Sequence, residues 1–231
     1  MEKLETITEN IRQAFDARTQ ARDQALAQAR MLTRHAANTI RAIHRDEQPQ
    51  AQEHLEQARQ LATALRSGLA EYPELYYAGY TQDALKEFAE ASITRALVGN
   101  LPLPTPEELG LEFATYLNGL AEVVGELRRR CLDLLRHGYS EETERLLTCM
   151  DDIYGVLVTL DYPDAITNGL RRQTDLVRGI VERTRGDLTI SLREQHLQRS
   201  LASLARRLDQ AEGTALPDES EFPVGPGDEA H

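Results

Sequence analysis

Two short stretches of this chain place carboxylates at helical spacing. In Lys86-Glu87-Phe88-Ala89-Glu90-Ala91, the acids Glu87 and Glu90 are one turn apart. At about 100° per residue they share a helix face with Asp83 and Thr94, while Leu85, Phe88, Ala89, Ser92 and Ala96 point the other way, toward a core. In the stretch from Tyr116 to Leu127, Glu122 and Glu126 share a face with Thr115 and Asn118. There the apolar face is Leu117, Leu120, Val124, Leu127 and Cys131. Gly119 and Gly125 flank these acids, and a missing side chain lets another backbone or a ligand come close. Either pair alone reads as a solvated helix face carrying mild like-charge repulsion. On two facing helices, the four carboxylates instead offer hard oxygen ligands for one or two Mg²⁺ ions, with Mn²⁺ as the substitute. Such ions activate water and stabilise charge on a phosphate.

Other chemistries find little footing. Cys131 and Cys149 have no CxxC partner and read as reduced core thiols. No Cys/His cluster has zinc spacing, and neither a phosphate-binding glycine loop nor a serine-nucleophile elbow is present. Arg128-Arg129-Arg130 and Arg171-Arg172 could contact phosphates, but arginines on helix faces are more often solvated or paired with acids. Arg129 is the exception, because it projects within one turn of Glu126 on the same face. His44 and His137 fall at helix C-termini, where a cation complements the dipole.

The elements that must position these acids are helices. The chain of 231 residues has 41% hydrophobic residues, no Trp and only 5% aromatics, so Leu, Ala, Val and Ile must fill the core. From Glu2 to Asp46 there is neither Pro nor Gly. Apolar residues recur there by threes and fours, which predicts one helix roughly 65 Å long. A turn centred on Pro49 follows, then helices over about 51–71 and 80–98. Thr105-Pro106-Glu107-Glu108 reads as the N-cap of a fourth helix reaching about Arg136. A fifth opens at Ser140 and stops before Pro163, and a sixth spans about 164–209. The expected fold is all-α, an elongated bundle of about six or seven helices. A helix as long as the first outruns a small core and is expected to meet neighbouring subunits at its exposed end.

The net charge of −12 argues against a generally basic nucleic-acid-binding surface. Six of those charges, on Glu212, Asp218, Glu219, Glu221, Asp228 and Glu229, follow the last basic residue, Arg207. The expected organisation is therefore a helical domain over 1–212 and a disordered acidic tail over 213–231. Any nucleic-acid contact must be local, in a groove or cavity. With no signal sequence and no apolar run of membrane-spanning length, the expected location is cytoplasmic, without a membrane partner.

The two acidic stretches resemble segments of the translin/TRAX family. Leu85-Lys86-Glu87-Phe88-Ala89-Glu90-Ala91 is similar to the TRAX segment that carries two catalytic glutamates. Tyr116-Leu117 through Gly125-Glu126-Leu127 is similar to the segment carrying the other two acids, with Glu122 where animal TRAX has Asp. Weaker similarity extends from Ala42-Ile43-His44-Arg45 to Glu194-Gln195. The resemblance implies a translin-like helical fold and a closed homo-oligomer of the prokaryotic type, most commonly an octamer with nucleic acid inside. It also implies Mg²⁺-dependent cleavage of single-stranded RNA, with Glu87, Glu90, Glu122 and Glu126 as metal-binding and catalytic acids. Translin's basic nucleic-acid segment corresponds here to Tyr76-Tyr77-Ala78-Gly79-Tyr80-Thr81-Gln82-Asp83, which has no basic residue. Tyr80 could stack on bases there, beside Arg129 as a phosphate contact. The alternative is a non-catalytic translin-like protein that binds single-stranded RNA or DNA.

Overall fold

The fold is seen in a computed structural model that describes residues 1–212; the acidic segment 213–231 lies outside the described residues. Among the described residues there are nine helices and no strand. Six are long: α1 (Glu2–His44), α2 (Gln48–Gly68), α4 (Gly79–Val98), α6 (Phe113–Leu135), α7 (Glu141–Val158) and α9 (Leu170–Glu212). Three are single turns: α3 (Pro73–Tyr76), α5 (Pro106–Leu109) and α8 (Asp164–Thr167). None is long and apolar enough to cross a membrane.

The expected boundaries shift wherever a turn residue carries more weight than the helical pattern. Pro49 is not a turn centre; it sits in the first turn of α2, where its missing N–H costs nothing. The fourth expected helix is two. Thr105 and Glu108 do form a capping box, but Gly110 adopts φ +67° and stops α5 after one turn, and α6 starts afresh at Phe113. The sixth is also two, because Asn168 and Gly169 are both left-handed (φ +51° and +81°) between α8 and α9.

Helices α1, α2 and α4 pack together, α4 lies along α6, and α6 packs on α7 and α9. Leu32, Leu65, Leu85, Phe88, Ile93, Leu127, Leu146 and Met150 are among the fully buried side chains of this shared core. Thus α4 and α6, the two carriers of the acids, are the central helices. The outer halves of α1 and α9 are largely exposed. All of residues 1–20 are exposed, and Leu4, Ile7, Ile11 and Phe15 form a stripe along them. At the far end of α9, Leu197, Leu201, Leu204 and Leu208 form another.

Candidate metal centre

The site begins with a close approach between helices. Opposite Gly119 on α6 lies the backbone of α4: a Cβ added at 119 would be 2.7 Å from the Ala89 Cβ and 3.0 Å from the Lys86 carbonyl oxygen. This contact sets Glu87 and Glu90 of α4 against Glu122 of α6. The three can each place a carboxylate oxygen within 4.8 Å of the others, so they form one cluster. Gly125, by contrast, has open space around it.

Each acid has distinct surroundings. Glu90 is 9% exposed. Burial, followed by repulsion from Glu87, Glu122 and Glu126, pushes its carboxyl up to about 8. Glu87 is also shifted upward, by burial first; Lys86 opposes this, while Glu122, Asp83 and Glu126 add to it. Glu122 Oε1 accepts hydrogen bonds from Lys86 Nζ (2.6 Å) and from Gln173 Nε2 of α9 (3.3 Å). Burial alone would lower the Lys86 ammonium, but the bond to Glu122 and that carboxylate's charge outweigh burial and raise it. Glu126 lies outside the three-acid group. Its Oε2 is 2.5 Å from His44 Nε2, at the end of α1, and 3.9 Å from Arg129 Nη1. Its charge nonetheless acts on both Glu87 and Glu90.

A divalent cation fits this donor set. The ligands are hard oxygens, they converge from two rigid helices, and they are too close to carry full negative charge unaided. Protonation of Glu90 and the Lys86 contact relieve that repulsion in part. Of the other face-mates, Asp83 is exposed and Thr94 fully buried. Thr115 bonds to Gln82, and Asn118 bonds the carbonyls of Ala114 and Thr167. Thr115 and Asn118 thereby tie neighbouring helices together, and Asp83 lies outside the cluster.

Arg129 is exposed beside Glu126. Tyr80 is half-buried against the core with its hydroxyl buried and unpartnered, while Tyr77 is the more exposed aromatic. Arg128 pairs with Asp187, Arg130 with Asp46 and Arg171 with Asp161. Both cysteines are free thiols, and burial pushes Cys131 up to about 12. His137 is exposed beyond α6. His44 departs from its expected role: its side chain is 3% exposed and aims at Glu126, not outward as a helix cap. Like Gln173, it reaches the acids from outside the two acidic stretches. Lys86 stood beside Glu87 in the sequence, but nothing linear connects 44 with 126 or 173 with 122.

Fold and site together define an all-helical protein with a partly buried carboxylate cluster between its two central helices. No family model matches the chain. It is 33% identical over 191 residues to an uncharacterized protein of Methanocaldococcus jannaschii, covering 82% of this chain and 84% of that one. It is also similar to AfC3PO, solved by itself and as a duplex RNA complex: TM-score 0.74 at 32% identity, covering 79% of this chain and 95% of that one. The structure of apo-NeC3PO shares the fold, with a TM-score of 0.73 at 20% identity over 79% of this chain and 96% of that one. The chain belongs to the translin/TRAX family.

Proposed function

We propose that the protein is a Mg²⁺-dependent endoribonuclease that cleaves single-stranded RNA inside a closed homo-oligomer, most readily an octamer. The observation that carries this reading is the convergence of Glu87, Glu90 and Glu122 across the α4–α6 contact, with Glu90 buried in a field of like charge. These three would hold Mg²⁺ or Mn²⁺, with Glu126 completing the set from one turn further along α6. The ion, when bound, supplies Lewis-acid activation of water and neutralises charge gathering on the scissile phosphate. The protein's own part is to present rigid oxygens. Gln173 steadies Glu122, Lys86 neutralises that carboxylate until an ion takes its place, and the contacts of α4 on α6 keep Glu87 and Glu90 from retreating. Arg129, exposed beside Glu126, is placed to meet an RNA phosphate. Tyr80, with its hydroxyl buried, could offer a base only its ring.

The relative AfC3PO has been solved with duplex RNA, so both RNA forms belong in the test. Labelled single-stranded and duplex RNAs are incubated with the wild type and with Glu90→Gln and Glu126→Gln. Cleavage of the single strand is expected to stop with EDTA and return with Mg²⁺ or Mn²⁺, and to return less with Ca²⁺, whose looser coordination suits catalysis poorly. Both substitutions are expected to abolish it while leaving fold, assembly and much of the RNA binding intact. Undiminished cleavage by both variants would reduce the acids to a charged face. RNA binding without cleavage by the wild type would favour the non-catalytic reading.

A further inference from the structure

His44 is the last residue of α1, 82 residues from Glu126 in sequence, yet its ring is buried against that carboxylate. The local structure holds it there. Ala42 and Ile43 pack with Ala51 of α2 against Val98 of α4, which pins the end of α1 to the bundle. In the turn that follows, Asp46 accepts two hydrogen bonds from Arg130, one helical turn beyond Glu126 on α6 (2.7 and 3.2 Å). The end of α1 is thereby fastened to the stretch of α6 that carries Glu126.

The ring's two nitrogens are not equivalent. Nε2 lies 2.5 Å from Glu126 Oε2, while Nδ1 is buried without a partner among the described residues. A carboxylate oxygen can only accept, so Nε2 carries the donated proton. A helix cap would instead face the final carbonyls of α1 or the solvent. This histidine does neither, since among the described residues the one polar contact of its side chain is the Glu126 carboxylate.

We propose that His44 is a positioning residue that orients the Glu126 carboxylate toward the Glu87–Glu90–Glu122 cluster, its Nε2–H occupying one oxygen and turning the other to a divalent cation. The inference rests on the metal-site reading above. Hydrogen bonds of this kind to a ligating carboxylate fix its orientation without touching the ion. Their loss typically costs about 10- to 100-fold in metal affinity or activity.

The test uses the full-length protein and three variants. His44→Leu fills the space without a donor. His44→Asn keeps a polar group that stops short of Glu126. His44→Gln carries an amide N–H about as far as Nε2. Mn²⁺ binding is measured by calorimetry without RNA, and kcat and KM are measured with single-stranded RNA. His44→Leu and His44→Asn are expected to weaken Mn²⁺ binding and lower kcat by about 10- to 100-fold each, with KM little changed. His44→Gln is expected to restore both to within a few-fold of wild type. The double variant of His44→Asn with Glu126→Gln should bind Mn²⁺ no more weakly than Glu126→Gln alone, because the histidine acts through that carboxylate. Should His44→Leu fail to fold, His44→Asn decides. Wild-type affinity in His44→Asn, or a loss in His44→Gln as deep as in His44→Asn, would overturn the proposal. A wild type that binds no Mn²⁺ removes the metal-site reading, and this inference with it. A wild type that binds Mn²⁺ while His44→Asn matches it removes this inference alone.

Discussion

Gly119 and Ala89 meet where α6 crosses α4: a Cβ on the glycine would stand 2.7 Å from that of the alanine, closer than such atoms approach. The distance between the two acidic helices is therefore set by a missing side chain. In an uncrowded helix, Gly→Ala adds stability, about 0.5–1 kcal/mol. At 119 the sign should reverse, since overpacking a core contact typically costs about 1–3 kcal/mol. Gly119→Ala is expected to lower the melting temperature by several degrees and to weaken Mn²⁺ binding. Gly125→Ala, at a position with open space, is expected to hold or raise it. Thermal unfolding of both variants checks this; a stabilised Gly119→Ala would contradict the close approach.

Glu90 makes the metal-free protein sensitive to alkali. Its carboxyl is raised from 4.5 in the unfolded chain to about 8 in the folded one, by burial first and then by its acidic neighbours. The folded state therefore holds a proton that the unfolded state has released. That contribution to stability is complete below pH ~4.5 and is lost as pH rises through about 8. In EDTA, urea unfolding is expected to show stability declining from pH 6 to pH 9 in the wild type and a flatter profile in Glu90→Gln. Mn²⁺ should flatten the wild-type profile too. Equal slopes in the two proteins would mean that Glu90 is solvated.

Lys86 sits 2.6 Å from Glu122, a cation resting on an acid of the cluster. An incoming metal ion must share that carboxylate with it or displace it. Lys86→Met is expected to tighten Mn²⁺ binding by about 5-fold, the equivalent of ~1 kcal/mol for a partly exposed pair. The same substitution should destabilise the metal-free protein, because the acids lose a neutralising neighbour. Weaker Mn²⁺ binding in Lys86→Met would show that the lysine organises the site instead of competing for it.

The apolar stripes at the outer ends of α1 and α9 bear on assembly. Leu4, Ile7, Ile11 and Phe15 are each at least 45% exposed, as are Leu197, Leu201, Leu204 and Leu208. Contiguous apolar faces of this length mark interaction surfaces. Light scattering is expected to find a closed oligomer, most readily an octamer. Ile11→Glu or Leu201→Glu should yield smaller species whose helix content is retained. A monomeric wild type at micromolar concentration would sink the assembly reading.

The all-helical class, the six long helices and the pairing of Glu87 with Glu90 and Glu122 with Glu126 were all legible in the sequence. Each rests on local periodicity: residues three and four apart share a face whatever the helix packs against. The same locality explains the misplaced boundaries, since Gly110 and the Asn168–Gly169 pair break helices through left-handed backbone that an apolar pattern overrides on paper. Tertiary structure alone decided which acids meet. It gathered Glu87, Glu90 and Glu122 because Gly119 lets α6 close on α4, and it gave Glu126 a separate partner. His44 and Gln173 reached the acids through the packing of α1 and α9 on these central helices. Hydrogen bonds span about 3 Å in space and are blind to separation along the chain, so partners 82 and 51 residues apart leave no mark on a linear pattern.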